Sequence, residues 1–302
     1  MQLSIPARPP FDFNNVVRSH GWYQLAPFHY DEAAGVLTYV DRLASGRVLA
    51  LGLSGGPAQA CVTLESELAS AEIDEVRRKV SWMLGLEQDF SAFYALASQE
   101  PKLEHVAAAA RGRVLRSPTF FEDVVKTILT TNTQWGGTIR MDARLVGQYG
   151  EPLPLAGEPL PLAGERRAFP TPQRLAEVDE ASLRQAVGLG YRAPYVLELA
   201  RRAAGGELDL EAFKTSDLPT LELRKRLLAI KGIGAYAAAN LLMLLGRYDF
   251  LPIDSWALKV VSHEWHHGEA VTPAQVEAAF EGWGAWKGLA YWFWQWSLFS
   301  EG

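Results

Sequence analysis

With 302 residues, 48% of them hydrophobic and 21% charged, and a net charge of -6, the chain has the composition of a globular protein with room for two or three packed substructures. No apolar run approaches the roughly 18 residues of a spanning helix, and the start "MQLSIPARPPFDF" lacks the basic-then-apolar layout of a signal peptide. These features lead us to expect an intracellular protein with no membrane partner. The lone Cys61 excludes an intrachain disulfide, a cysteine zinc cage and a cysteine-held iron-sulfur cluster, and reads as a buried or neutral thiol. Net acidity weighs against a nucleic-acid partner, but the acidic excess lies in the first 105 residues. Basic clusters follow it: Arg111, Arg113 and Arg116, then Arg224, Lys225, Arg226 and Lys231.

In chain order, "VLTYVDRL", "RVLALGL" and "CVTLES" read as strands of an antiparallel sheet. From "AEIDEVRRKVSWMLGL" onward the apolar spacing is helical, through "FFEDVVKTILTT", "TIRMDARLVGQYG", "PYVLELARRAA" and "LELRKRLLAI". The expected fold is α+β and mainly α: an N-terminal domain with an antiparallel sheet over 1-105, then a helical core over 106-302. The tandem "EPLPLAGEPLPLAG", residues 151-164, is too proline-dense for a helix and reads as an exposed loop with polyproline character.

In "LRKRLLAIKGIGAYAAANLLMLLG" one helix stops at "KGIG" and a second begins at once, a helix-hairpin-helix at about 221-245. Glycines at 232 and 234 permit main-chain angles closed to other residues and a close approach by another group. The amides opening the second helix can then donate to an anion such as a DNA phosphate. A plain turn between packed helices is the alternative. Next, "FLPIDSWALKVV" puts Asp254 at a helix N-terminus, where it serves either as an N-cap or, beside a phosphate grip, as the anion that stabilises an oxocarbenium-like sugar.

These residues, "LLAIKGIGAYAAANLLML" followed by "FLPIDSW", resemble the signature of the helix-hairpin-helix (HhH-GPD) DNA glycosylases. "FPTPQRLAEVDEASLRQAVGLGYRAPYVLELARRAA" is similar to the segment before the hairpin in bacterial 3-methyladenine and 8-oxoguanine glycosylases, and its "GLGYRAPYV" looks especially like the latter. "RVLRSPTFFEDVVKTILTTNTQW" resembles the entry to the catalytic core, and "WGAWKGLAYWFWQW" the closing helix of the 3-methyladenine branch. The resemblance spans roughly 105-302.

The resemblance implies a base-excision repair enzyme that hydrolyses the N-glycosidic bond of a flipped, damaged base in double-stranded DNA. Bifunctional members carry a lysine two positions after the second hairpin glycine. Tyr236 stands there, which implies a monofunctional enzyme that uses water. Asp254 would be the catalytic anion, and Lys231, Gly232, Ile233 and Gly234 the DNA grip. Lys231 departs from the family's usual proline and reads as an added phosphate contact rather than a nucleophile. By family position Asn132 fills the space left by the flipped base, with Gln134 and Trp135 beside the orphaned partner; a capping Asn is the alternative. Tyr236 is one candidate wall of a pocket suited to a cationic alkylated purine, and Trp294 or Trp296 of the last helix is another, while most of the tryptophan cluster reads as packing. Asn240 departs from the aromatic that the alkylpurine branch can carry.

His263, His266 and His267 have a spacing that could bind zinc, but no cysteine accompanies them and Glu264 falls elsewhere around the helix, so they read as solvated or packed histidines and no metal site is assigned. No cofactor is required, although relatives can hold a structural monovalent cation on hairpin carbonyls. A monomer of cytoplasmic, nucleoid-associated, bacterial type is implied. The other readings are a uracil or thymine mismatch glycosylase and a catalytically inactive lesion-binding module; an 8-oxoguanine lyase lacks its lysine.

Overall fold

The computed structural model describes residues 1-56, 58-154 and 166-297, so most of the 151-164 repeat lies outside the described residues. Strands β1 (Gln2–Pro6), β2 (Phe28–Asp31), β3 (Val36–Arg42), β4 (Val48–Gly56) and β5 (Gln59–Thr63) form one antiparallel sheet in the order β1-β5-β4-β3-β2. Alternation decides the face: Leu37 and Tyr39 of β3, Leu51 and Leu53 of β4, and Ala60 and Val62 of β5 are buried. The pairings Leu37↔Leu53 and Leu53↔Val62 carry one apolar row across the centre. Two strands absent from the sequence reading, β1 and β2, are the edges. β1 alternates over only five residues and ends in proline, and β2 is only four residues long, so both signals are short.

The helices that build the two units and the site include α1 (Ser70–Leu84), α2 (Phe120–Thr130), α3 (Trp135–Tyr149), α4 (Ala193–Ala204), α5 (Thr220–Leu228), α6 (Ala235–Leu244), α7 (Ser255–Trp265) and α8 (Lys287–Phe293). Among the described residues no helix is long and apolar enough to cross a membrane. The chain divides into two compact units, Met1–Glu87 with Arg113–Lys214, and Gln88–Gly112 with Thr215–Gly302. The division therefore departs from a linear boundary at 105/106. Its cause is aromatic packing: Phe90 and Phe93 lie against Trp286, and Phe90 also against Tyr248, so residues 88-112 join the C-terminal helices.

Under the sheet, α2 carries ionisable groups into the first unit's interior. Lys126 Nζ lies 2.6 Å from Glu122 Oε1, with both side chains essentially inaccessible, and Tyr39 donates its hydroxyl to Glu122 Oε2 at 2.6 Å. Burial raises Asp142 to about 7, against the opposing Lys126 charge. Burial likewise raises Asp123 to about 7 and Asp41 to about 6, and lowers His20 to about 4. An acid that keeps its proton longer when folded stabilises the native state at low pH, and this contribution is lost as pH rises through its folded pKa. The three acids thus make stability fall between about pH 4 and 7, while His20, neutral when folded, opposes them between about 4 and 6.5. Asp142→Asn is expected to flatten that fall and to exceed wild type in stability at pH 8. Denaturant unfolding across a pH series checks it, and parallel curves for the two proteins would remove Asp142 from the account.

Candidate active site

The hairpin sits in the second unit. Helix α5 ends at Leu228, and the turn is closed by the Ile230 amide donating to Leu227 O at 3.0 Å and the Ile233 amide to Ile230 O at 3.1 Å. Gly232 has φ +89°, a conformation other residues rarely take. Gly234 differs. Its φ of -93° and ψ of -175° suit any residue, and a Cβ built there meets nothing within 4 Å. Among the described residues neither backbone strain nor packing asks for glycine at 234, and the space beside it is open to an approaching group. Ile233 is buried, with its amide used in the turn, whereas Lys231 and Gly234 are exposed. Gly234 is also the N-cap of α6 and, being glycine, makes no side-chain cap bond to the first-turn amides.

Asp254 is the N-cap of α7 and accepts the Ala257 amide at Oδ1, 2.9 Å away. The carboxylate is nevertheless exposed. Its charge is felt by two phenols: burial first, and the Asp254 charge second, raise both Tyr236 and Tyr291 above the ordinary tyrosine value. Tyr236, in the first turn of α6, and Tyr291, on α8, thus form with Asp254 a cluster of one anion and two neutral hydroxyls. Asn240, one turn beyond Tyr236, donates its amide to the Tyr236 carbonyl at 3.0 Å. The segment leading to Asp254 is held by α8, where the Gly288 amide donates to Tyr248 O at 2.6 Å. A Cβ at Gly288 would stand 2.8 Å from Tyr248 O and 3.0 Å from Phe250 O, so only glycine allows this approach.

Trp294 and Trp296 lie beyond the last helix rather than within it. Helix α8 ends at Phe293, Trp294 turns to an extended ψ of 133°, and the Gln295 amide donates to Lys102 O. Trp296 is buried and packs edge-on to Tyr291 at 5.6 Å. Trp294 packs among Trp265, Phe280 and Trp283. Of the two, Trp296 is joined to the Asp254 cluster through Tyr291. Tyr291 itself was absent from the sequence reading, because in "GLAYWFWQW" nothing distinguishes it from its aromatic neighbours.

Asn132, Gln134 and Trp135 belong to the first unit, the first two in the loop from α2 to α3 and Trp135 as the first residue of α3. Asn132 is exposed at φ +46°, a left-handed conformation that Asn tolerates better than most residues. The Thr131 carbonyl accepts the Arg192 guanidinium and the Tyr191 hydroxyl, and Asn132 Nδ2 lies 3.4 Å from that hydroxyl. Gln134 is the exposed N-cap of α3. Trp135 is partly exposed but already engaged, donating its indole N-H to Gln24 Oε1 at 2.5 Å.

Two of the three arginines of the first basic cluster make no surface. Arg113 is buried and donates to the carbonyls of Gly85, Pro10 and Arg8; Arg116, also buried, lies over the Trp82 ring at 4.3 Å. Three carbonyls and a ring face replace the water these cations would otherwise keep. In the second cluster Lys225, Arg226 and Lys231 are exposed. Glu264 pairs with Lys102 at 2.8 Å and accepts the Ser297 amide. Among the described residues no three His, Cys, Asp or Glu side chains converge on a metal position.

A profile of the HhH-GPD superfamily base excision DNA repair protein matches residues 125–285. Over 212 residues the chain is 26% identical to a "Probable N-glycosylase/DNA lyase" of Methanothermobacter thermautotrophicus, a match covering 62% of this chain and 64% of that protein. Over 187 residues it is 25% identical to a "DNA-3-methyladenine glycosylase" of Bacillus subtilis, covering 61% and 59%. The chain thus spans less than two thirds of the length of these curated relatives. Among solved structures, a 3-methyladenine DNA-glycosylase from Archaeoglobus fulgidus shares the fold, with a TM-score of 0.75 and 22% identity over 97% of both chains.

Proposed function

This chain belongs to the HhH-GPD superfamily of base excision DNA repair proteins, and from that membership we propose that it is a monofunctional DNA glycosylase acting as a monomer on double-stranded DNA. It hydrolyses the N-glycosidic bond of a flipped, damaged base and leaves an abasic site. The observation that carries this reading is the exposed Asp254 carboxylate, fixed by its cap bond, whose charge reaches the hydroxyls of Tyr236 and Tyr291. As the base departs, positive charge grows on the sugar. A fixed carboxylate stabilises that charge and orients or deprotonates the attacking water. Extrusion of the nucleotide costs a few kcal/mol, less at damaged sites, and Asn132 fills the space it leaves.

The phenols bear on the branch of chemistry. A strand-nicking lyase needs an amine to form a Schiff base with the sugar, and Tyr236, held neutral, offers none. Aromatic faces beside a carboxylate favour a base that carries positive charge, which points to alkylated purines such as 3-methyladenine. The Bacillus subtilis relative bears that substrate in its name. The relative named as a lyase supports a second reading, in which the exposed Lys231 would have to supply the amine. Main-chain oxygens between Ile230 and Gly234 are the groups that would hold a monovalent cation; the reaction as written routes no step through one.

Strand cleavage with and without alkali, together with borohydride trapping, separates the two chemistries. Alkali-dependent cleavage with no trapped adduct is expected. Cleavage without alkali and a covalent adduct lost in Lys231→Ala would establish the lyase instead. A uracil or mismatched-thymine glycosylase would reveal itself by releasing those bases in preference to the alkylpurine.

The hairpin gives a further expected result. Gly234→Ala adds a methyl group where the protein leaves open space, so melting should change little. The same methyl stands where a phosphate would approach the α6 amides, and affinity for duplex DNA should fall about tenfold whether or not a lesion is present. Fluorescence anisotropy checks it. Unchanged affinity would reduce the hairpin to a turn.

A further inference from the structure

The turn Gly21–Gln24, in the N-terminal part of the first unit, touches both helices that carry the Asn132 loop. Toward α3, the Trp135 indole lies across Gly21: a Cβ there would stand 2.2 Å from Cζ2 and 2.6 Å from Cη2 of the ring. Gly21 is absent from the positive-φ glycines, so the ring rather than the backbone requires a glycine. Gln24 then takes the indole N-H, and its own amide is spent on the Tyr23 hydroxyl at 2.9 Å. Toward α2, the buried Trp22 donates its indole N-H to Asp123 at 2.8 Å, in the first turn of that helix and so at the end away from the loop, where it anchors the turn itself. Three of the turn's four residues are therefore committed to helices more than ninety positions away in sequence. From another side, Arg192 and Tyr191 hold the Thr131 carbonyl. The loop Asn132 to Gln134 is left as a short span between two fixed helix ends, with Asn132 in the left-handed conformation.

We propose that Gly21 and Gln24 are positioning residues for DNA interrogation: the turn fixes Trp135 at the start of α3 while Arg192 and Tyr191 hold the C-terminal end of α2, and Asn132 between them is so presented pre-formed to the space left by a flipped base. Trp135 is a strut of this device and not a reader of the orphaned base. The assignment rests on the glycosylase reading and gives the N-terminal unit a task in it. Pre-forming the loop removes an ordering cost that capture of the flipped state would otherwise bear. It leaves contacts to undamaged DNA, which are made to phosphates, untouched.

The test uses the full chain with Gln24→Met, which removes the acceptor at similar length, and Gly21→Ala, which displaces the ring. Hydrogen exchange of amides 131-138 reports the loop directly. Fluorescence of 2-aminopurine next to an abasic-site analogue reports capture, and anisotropy with plain duplex reports nonspecific binding. We expect exchange faster and capture weaker by about tenfold each, with plain-duplex affinity within about twofold of wild type. Combined with Asn132→Ala, neither variant should lose further capture, because each acts through that residue. Unchanged loop exchange in both variants overturns the proposal, as does an undiminished loss of capture in the Asn132→Ala background. If the wild type captures no flipped base, the glycosylase reading fails, and loop exchange still decides whether the turn holds the loop.

Discussion

Replacement of Asp254 by Asn is expected to lower the rate of base release by at least about 100-fold while leaving the melting temperature within about 1 °C of wild type. The two halves of this result come from the two roles the side chain combines. As an N-cap, Asp254 accepts the Ala257 amide at 2.9 Å, and an Asn carbonyl oxygen accepts the same bond equally well. As the anion we propose to face the sugar, it has no substitute in an uncharged amide. A second signature should accompany the loss: with the negative charge gone, the tyrosine ionisations that it raises should move down, observable in the ultraviolet titration of Tyr236 and Tyr291. Equal losses of activity and stability would mean that the carboxylate is only a cap.

The largest expected effect on stability lies in the other unit. Lys126→Met should destabilise the protein by about 3–5 kcal/mol at pH 8, because Glu122 would remain buried with only the Tyr39 hydroxyl beside it. The Lys126 charge that opposes the rise of Asp142 would go as well, so Asp142 should keep its proton to still higher pH. At pH 5 the penalty should shrink, since the stranded acids can bind protons, which turns a buried charge into a neutral group. Glu122→Gln in the Lys126→Met background should recover part of the loss. Chemical unfolding of the single and double variants measures it, and strictly additive losses would show that the pair does not act as a unit.

Much of the fold was legible because its signals are local. Apolar period marked α2, α5 and α6; alternation marked β3, β4 and β5; the lone proline-flanked acid marked the α7 cap. The edge strands were not legible, since β1 and β2 are recognised by the neighbours they pair with. The site divides in the same way. The Gly232 turn and the Asp254 cap follow from residue type and spacing, and the structure brings Asp254 together with Tyr236. Tyr291 was hidden among identical-looking aromatics, and nothing in "HGWYQL" announces that Gly21 must leave room for an indole from α3. Arg113 illustrates the converse: in sequence it belongs to a basic cluster, yet in the fold its guanidinium is consumed by the carbonyls of Gly85, Pro10 and Arg8. Sequence reports charge, and only packing reports whether that charge meets solvent.

The central claim is that this chain uses Asp254 and water to release a damaged base. The most direct measurement is chromatographic detection of free base from a duplex oligonucleotide with a single alkylpurine, comparing wild type with Asp254→Asn at equal concentration. The account predicts release of the alkylated base by the wild type, an intact abasic strand as the other product, and release by the variant lowered at least about 100-fold. Failure to release any base from alkylpurine, hypoxanthine, 8-oxoguanine, uracil or mismatched-thymine duplexes, while DNA is still bound, would contradict it and leave a lesion-binding module in place of an enzyme.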